Sequence, residues 1–481
     1  MAIDASVPVA RRVGPVPAPW VVVGCAVVVG ALVAVRDVRV YLFDDAAIAF
    51  RYAWRIAHGH GFTYNDGDRT NGASAPLYTL VLAALSRLGL DLERAASGVG
   101  VACYAAACGL VAWLGNRLAG LWCAALAAAL LVSSADFRLN ALSGMESSLA
   151  VVLGLLALVF VVTDRQVLAG VVLGLAVVDK LDAGLLAVAL VVAVGLVHRR
   201  LPVKLGVVAL AIAAPWFVFA TWYFGSPIPY SATQKLTTVQ NPSYHADPLW
   251  VLRTLGADRT LGLLLLTLLA LLTVPRAMRL APPRAVTIVA IVTWACLHLA
   301  VFSIVDLGDS YGWYVTILYP LLAVGAALFV VSAPALLADR FGDPRIARVA
   351  WGLAAALVAV PIVAGGWRAA NVVAVGHRVD ANERLEGTRW AAGRYLGRRV
   401  EPGDVVETCF GWIAYGAPTT PIQETCPLST RLSVGRPTWG VDLETANSGP
   451  VHVPDRATVV ASFPSSGPER ARTIVYRYGT P

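Results

Sequence analysis

Two adjacent carboxylates, Asp44 and Asp45, are the side chains of this sequence best placed for acid–base chemistry. They open the helix-like stretch DDAAIAFRYAWRIA, which comes after an apolar run. Neighbouring side chains on a helix point about 100° apart, so both acids could face one cavity without sharing a contact. One carboxylate would then act as a general base and the other as an orienting or ion-binding partner. The structural alternative is a helix N-cap, a position where aspartate is favoured.

Two histidines, His58 and His60, lie further along in the stretch HGHGFTYN. Histidine is a common metal ligand, but no third ligand is evident nearby, and solvated loop side chains are the alternative. The adjacent acids Asp44 and Asp45 could themselves hold a divalent cation, which prefers oxygen ligands. The sequence otherwise implies no cofactor.

The rest of the chain is too apolar for a soluble protein. Of its 481 residues, 58% are hydrophobic and only 14% are charged, whereas a soluble domain is about a quarter charged. The net charge of +8 would suggest nucleic acid in a soluble protein. Basic residues at helix ends orient membrane proteins, however. We therefore predict a multi-pass protein of the plasma membrane, in contact with the lipid bilayer and without a nucleic-acid partner.

The apolar runs predict the path of the chain through the membrane. A spanning helix needs roughly 17–25 apolar residues, and the candidate runs lie at 20–35, 75–90, 95–115, 118–134, 147–163, 167–179, 183–197, 205–223, 259–274, 285–305, 313–333 and 349–367. We place the short run 75–90, with Pro76 and Arg87, on the outer surface. The remaining eleven spans then put most basic loop residues on the side of Arg11 and Arg12. This arrangement predicts a cytoplasmic N-terminus and an extracytoplasmic C-terminus.

The same reading divides the chain into two domains. Residues 1–367 form the predicted transmembrane domain, with a long external loop at 36–94 that carries the acids. Residues 368–481 form a predicted extracytoplasmic domain of α/β type, because a strand-like run and several Pro/Gly turns occur there. Cys409 and Cys426 lie in this domain and could form a disulfide in an oxidising compartment.

Seven segments resemble GT-C membrane glycosyltransferases, most of all the actinobacterial arabinofuranosyltransferases that complete cell-wall arabinan. In the external loop these are the segments DDAAI, FRYA, HGHGFTYN and NGASAPLY; the later stretches are ALSGMESSLA at 141–150, WYFGSPIPYSATQK at 222–235 and DVVETCFGWIAYGA at 404–417. The resemblance implies an all-α polytopic membrane fold of about eleven transmembrane helices, with the small α/β domain outside.

The resemblance also implies a reaction. A sugar, expected to be arabinofuranose, would pass from a polyprenyl-phosphate donor to a hydroxyl of a cell-envelope polysaccharide at the extracytoplasmic face, with inversion at the donor carbon. Asp44 would take the acceptor proton, and Asp45 and Glu146 would orient the acceptor or the base. Lys235, and more weakly Lys180 and Arg138, would stabilise the leaving phosphate. The external loop adds further candidate substrate-binding residues: Arg51, Tyr52, His58, His60, Tyr64 and Asn65.

Each of these later candidates has a structural alternative. Lys235 could be an ordinary loop lysine, and Glu146 could cap the helix that follows it. Lys180 could form an ion pair with Asp179 or Asp182, its neighbours in the sequence.

Two other functions stay open at the level of sequence. A polyprenyl-phosphate mannose donor would make the protein a mannosyltransferase with the same chemistry. A transporter or flippase of lipid-linked glycans belongs to a different class and predicts internal repeats and paired broken helices. We find neither feature in the sequence.

Overall fold

The computed structural model describes residues 19–37, 42–239, 282–304, 312–341, 372–425, 434–444, 453–465 and 471–479, with isolated positions at 345, 349, 352 and 451. For 235–239, 303–304, 312, 333–341 and 372–384 it describes the backbone only.

The described residues are mostly helical. The helices are α1 (Pro19–Asp37), α2 (Asp44–Ala57), α3 (Pro76–Arg87), α4 (Leu92–Ala119), α5 (Leu121–Ser133), α6 (Ala135–Ala141), α7 (Ser147–Val162), α8 (Gln166–Asp179), α9 (Gly184–His198), α10 (Val203–Phe224), α11 (Tyr230–Val239), α12 (Pro282–Ile304), α13 (Leu318–Phe341), α14 (Val372–Gly397) and α15 (Gly411–Gly416). Short 3₁₀ turns occur at Leu181–Ala183 and Gly312–Val315.

Among the described residues, five helices are long and apolar enough to cross a membrane, or six if the bent pair α5 and α6 counts as one span. Three further apolar helices are shorter, at Ser147–Val162, Gln166–Asp179 and Leu318–Ser332. The candidate spans 259–274 and 349–367 lie outside the described residues, apart from the isolated positions 349 and 352. The protein is thus a multi-pass membrane protein, while the number eleven and the sidedness of the termini stay predictions.

Helix α3 covers most of the run 75–90 and is too short to span. Its 12 residues make a rod about 18 Å long, against a hydrocarbon core of about 30 Å. It packs against α2 and against α4 and α8 at the end of the bundle where α4 begins.

The bundle core is built from small and branched apolar side chains. Helix α4 packs against α1, α5 and α7, and α8 packs against α7 and α10. The contact between α8 and α10 depends on Gly170 and Gly174, which lie one turn apart. A Cβ at either position would lie 2.7 Å from a backbone oxygen of α10, that of Leu205 or Ala209. Small residues spaced in this way let membrane helices approach closely.

The C-terminal region carries a five-stranded sheet. The strands are β1 (Val406–Thr408), β2 (Ile422–Glu424), β3 (Trp439–Glu444), β4 (Ala457–Pro464) and β5 (Arg472–Tyr478), in the order β2-β1-β3-β5-β4. Strand β1 pairs in parallel with β2 and β3, and β5 pairs antiparallel with β3 and β4. Helix α14 packs against β4, β5 and α15. This confirms a helical membrane protein with a small C-terminal sheet.

Candidate active site

Helix α2 positions the two adjacent acids and lies between the bundle and the C-terminal domain. It packs against α3 on one side and α15 on the other, and Ala46, Ala47, Phe50 and Ala53 are buried along it. Asp44 and Asp45 form its first turn. Because they are one residue apart, they point to different neighbours, as a helix requires.

Asp44 caps a helix, but not its own. One carboxylate oxygen accepts the backbone N–H of Gly411 and the other accepts that of Trp412, each at 3.0 Å. These are the first two residues of α15, so Asp44 ties α2 to the C-terminal domain through charge-assisted hydrogen bonds. The N-cap residue of α2 itself is Phe43, which makes no side-chain capping bond.

The Asp44 carboxylate is buried at this contact. Burial raises the pKa of Asp44, while the Arg389 charge and the two N–H donors act to lower that pKa. Glu386 on α14 belongs to the same cluster, and burial raises its pKa to about 8 despite a 3.0 Å ion pair with Arg389. Two acids and one guanidinium therefore share a poorly solvated interface.

Asp45 faces a different environment. It lines a small cavity on the bundle side of α2, together with the 72–75 loop, Glu146, Ser231, Trp313 and Tyr314. Next to this cavity, Lys180 Nζ lies 3.3 Å from Glu146 Oε1 and 4.8 Å from the centre of the Tyr314 ring. The fold thus brings together Asp45, Glu146 and Lys180, three candidates separated by up to 135 positions in the sequence.

A tight turn before α7 places Glu146. Gly144 has φ +81°, and a Cβ there would lie 2.6 Å from the Leu42 side chain, so glycine is required. The Gly144 carbonyl accepts the Tyr78 hydroxyl at 2.6 Å. Glu146 occupies the N-cap position of α7, but its side chain makes no capping bond. It pairs instead with Lys180, so it is not a helix cap in the chemical sense.

The neighbours Asp179 and Lys180 serve different contacts. Asp179 Oδ1 accepts the backbone N–H of Tyr78 at 3.1 Å and thereby caps α3. Lys180, 9% exposed, turns to Glu146, 7% exposed. The ion pair that the sequence suggested within 179–182 is thus replaced by one that joins two loops. A buried pair of this kind is weak evidence for stability.

Four predicted substrate-binding residues lie away from the cavity of Asp45, and their role in binding stays a prediction. Arg51, Tyr52, Tyr64 and Asn65 are at most 2% exposed, and none of them lines the cavity of Asp45. They hold the loop after α2 to the C-terminal region, because carbonyl groups buried in that interface need donors.

Arg51 is the centre of this interface. Its guanidinium donates to the carbonyls of Tyr64 at 2.8 Å, Ala417 at 3.0 Å and Thr420 at 2.9 Å, and also to Ala414. The Asn65 side-chain amide donates to the Ile422 carbonyl at 2.9 Å and accepts the Ile422 backbone N–H at 2.8 Å.

The two histidines also lie away from the cavity. His58 and His60 are exposed and stack on Trp54, with ring centres 4.0 and 5.7 Å away. Within the described ranges, no three His, Cys, Asp or Glu side chains cluster as metal ligands.

Two further predictions, the role of Lys235 and the disulfide, concern residues that the structure describes only in part. Lys235 lies on α11, but its side chain is outside the described part of the structure. Cys409 is disulfide-bonded; its expected partner Cys426 lies outside the described residues.

The Asp44 contact leads to a testable expectation. Asp44→Asn keeps the shape of the side chain, but its NH2 group then faces one of the two backbone N–H groups of α15, which loses its acceptor. An unsatisfied buried donor costs about 1–3 kcal/mol, so we expect lower thermal stability and faster amide exchange at Gly411 and Trp412. Asp45→Asn is the matched control, since Asp45 lines a cavity. Equal exchange rates in the two variants would contradict the assignment.

Comparison with solved structures identifies the fold. ArnT from Cupriavidus metallidurans in the apo state superposes with a TM-score of 0.57 at 16% identity, over 95% of this chain and 97% of ArnT. The same enzyme bound to undecaprenyl phosphate gives 0.52 at 15% identity, over 96% and 98%. The archaeal oligosaccharyltransferase AglB from Archaeoglobus fulgidus, in complex with an inhibitory peptide and a dolichol-phosphate, gives 0.52 at 13% identity, over 85% of this chain and 65% of AglB.

These structural neighbours are GT-C glycosyltransferases. The chain has the GT-C fold. No family model matches the sequence, and no curated protein matches it either. The likeness is therefore one of architecture, and it extends over nearly the whole chain and nearly the whole of ArnT. This structural similarity does not distinguish the arabinofuranosyltransferase type, which the sequence resembles, from other GT-C enzymes.

Sequence reasoning missed part of the site. Trp390 and Glu386 on α14 lie beside the start of α2, although they come more than 300 positions later. No motif marks them, because they are a Trp and a Glu on a polar helix. Ser231 on the cavity wall belongs to the stretch at 222–235 that carries the resemblance, but nothing in the sequence indicated that it lies near Asp45.

Proposed function

We propose that this protein is a membrane glycosyltransferase that moves a sugar from a polyprenyl-phosphate donor to a hydroxyl of a cell-envelope glycan. The observation that supports this most is the cavity at the start of α2. It combines the Asp45 carboxylate with the buried Glu146–Lys180 pair, in a chain with the fold of enzymes solved with undecaprenyl phosphate and dolichol-phosphate.

In the proposed reaction, Asp45 is the general base. It takes the proton of the acceptor hydroxyl as that oxygen attacks the anomeric carbon of the donor. The carbon–oxygen bond to the phosphate breaks on the opposite face, so the configuration inverts. The electron pair leaves with polyprenyl phosphate. Asp44 is a positioning residue here, because both its oxygens are engaged by α15.

Lys180 is the proposed stabiliser of the leaving phosphate. An ammonium held in a poorly solvated site is already oriented when negative charge develops, which is the basis of electrostatic catalysis. Glu146 holds Lys180 at 3.3 Å and limits its movement. Lys235 stays a second candidate for the same task, on the strength of the sequence resemblance alone.

The sugar is proposed to be arabinofuranose, and the reaction is proposed to occur at the extracytoplasmic face. Both points rest on the sequence resemblance and on the distribution of basic residues. Purified protein in liposomes, given radiolabelled polyprenylphosphoryl arabinose or mannose and an envelope oligosaccharide, tests the function directly. We expect label in the oligosaccharide from the arabinose donor. Label from the mannose donor alone would establish the mannosyltransferase, and no label from either would overturn the proposal.

A charge-removal series separates the two roles of Lys180. Lys180→Gln should lower kcat about 100-fold, in the range found when one preorganised donor is removed, and should destabilise the fold by leaving Glu146 buried alone. The double variant Lys180→Gln/Glu146→Gln should regain stability but not activity. Recovery of kcat in the double variant would show that Lys180 only neutralises Glu146.

A further inference from the structure

A second, much larger cavity lies on the other side of α2. We call it the aromatic groove; its volume is about 1510 Å³, and its walls include Trp54 of α2, Glu93 of α4, Glu386 and Trp390 of α14, and Trp412 and Tyr415 of α15. Trp54 follows Asp45 by nine residues, so it is 900° further around the helix, half a turn away. The groove and the cavity of Asp45 are therefore on opposite faces of α2.

The size of the groove argues against a small ligand. Pockets for drug-sized molecules have about 300–1,000 Å³, and the aromatic groove exceeds this range. An extended ligand is needed to fill it. A hydrocarbon chain would be long enough, but Asp91, Glu93, Glu386, Arg94 and Arg394 all line the groove. An apolar chain would fit beside Val35, Leu42 and Val101, but it would take water from these five charged groups without giving them a partner.

The side chains of the groove suit a carbohydrate. Sugar rings offer hydroxyl groups, which both donate and accept hydrogen bonds, and faces of polarised C–H bonds, which pack on the negative faces of aromatic rings. Carboxylates accept from hydroxyl groups, and guanidinium and indole N–H groups donate to them. The groove supplies three tryptophans, a tyrosine, acids and arginines together.

The groove is also preorganised, and part of its polar capacity is unused. Trp390 Nε1 donates to Glu93 at 3.0 Å, and the Arg394 guanidinium lies 4.4 Å from the centre of the Trp390 ring. This holds the ring in one orientation. In contrast, Trp412 Nε1 and Glu386 Oε2 are buried at the wall and have no hydrogen-bond partner among the described residues. Such groups normally have partners.

We infer that the aromatic groove binds a neutral oligosaccharide segment of the acceptor glycan. The inference rests on the proposed function, since an acceptor is required only if sugar transfer occurs. Leu42 lines the groove and Asp45 lines the small cavity, so both share the start of α2 as a wall. The internal residues of the glycan lie in the groove, and its end reaches the start of α2. The enzyme thus recognises a chain of several sugars, not only the residue that receives the new one.

The test measures binding without any donor. Linear arabinofuranosyl and mannosyl oligosaccharides of two to eight residues are titrated by calorimetry into the purified protein in nanodiscs. We expect Kd to fall with length for at least one series. Trp390→Ala should weaken binding of the hexasaccharide about tenfold, and Trp390→Phe should retain most of it, because the ring face remains. Trp122→Ala is the control, since Trp122 is 80% exposed on α5, beyond the far end of the 28-residue α4.

The outcomes separate this inference from the proposed function. Binding of neither series, or equal binding by the Trp390→Ala protein, overturns the assignment of the groove even where sugar transfer is observed. In a transfer assay, Trp390→Ala should raise KM for the hexasaccharide but not for the polyprenyl-phosphate donor. Length-dependent binding that Trp390→Ala weakens, without transfer from any donor, supports the groove and refutes the glycosyltransferase.

Discussion

Replacing Asp45 by asparagine should reduce sugar transfer about 1,000-fold in a protein that still folds. General-base catalysis contributes about 10²- to 10⁴-fold, and asparagine cannot accept the proton. Asp45 lines a cavity, and the side-chain shape is conserved, so no packing is lost. The measurement is the initial rate of label transfer from polyprenylphosphoryl sugar, beside a thermal unfolding curve for the same sample.

The adjacent variant sharpens this test. Asp44→Asn should lose activity together with stability, because the contact with α15 positions α2. An Asp45→Asn protein that transfers sugar at the normal rate would refute Asp45 as the base. If Asp44→Asn were then inactive at full stability, the base would be Asp44, the residue that the sequence resemblance favours.

The second large effect is expected at Arg51. Arg51→Met removes the guanidinium that donates to the carbonyls of Tyr64, Ala414, Ala417 and Thr420. The Ala417 carbonyl still accepts the backbone N–H of Thr420 at 3.1 Å, but the other three carbonyls lose the Arg51 donor. Each buried acceptor left without a partner costs about 1–3 kcal/mol, so the loss should exceed about 3 kcal/mol. Limited proteolysis should release the C-terminal domain from the variant at temperatures where the wild-type protein is resistant.

Two controls accompany Arg51→Met. Arg51→Lys keeps the charge but not the planar fork that reaches several carbonyls, so it should rescue little. Arg69→Met removes an arginine from the same loop that is exposed and lies 5.2 Å from the centre of the Tyr223 ring. Its proteolysis should match that of the wild type. Release of the domain from Arg69→Met as well would show that the loop, not Arg51, is the sensitive element.

The comparison of Asp44 with Asp45 shows where sequence reasoning ends for the site. Spacing alone indicated that the two acids point in different directions, and this is what α2 shows. Spacing could not reveal that α15 brings two unpaired N–H groups to Asp44, because Gly411 lies 367 positions away. Only the packing of α15 on α2 makes one acid a tether and leaves the other beside the cavity.

Arg51 and Lys180 illustrate the same limit. A sequence motif contains residues required for folding and residues required for the reaction, and the motif alone does not distinguish the two groups. The resemblance implied that the FRYA and GHGFTYN segments bind substrate. In the structure, Arg51, Tyr64 and Asn65 join the loop after α2 to the C-terminal region. Lys180 had acids on both sides in the sequence, yet it pairs with Glu146 on another loop.

The sequence by itself determined that this is a membrane protein with acids at a helix start and a small C-terminal domain. These properties follow from composition, from apolar runs and from local spacing, which act over a few turns of chain. The tertiary structure decided which carboxylate lines the cavity, which lysine partners which glutamate, and that an aromatic groove exists at all. Those features are contacts between segments far apart in the chain, and they form only when the bundle, the external loop and the C-terminal domain bury their surfaces together.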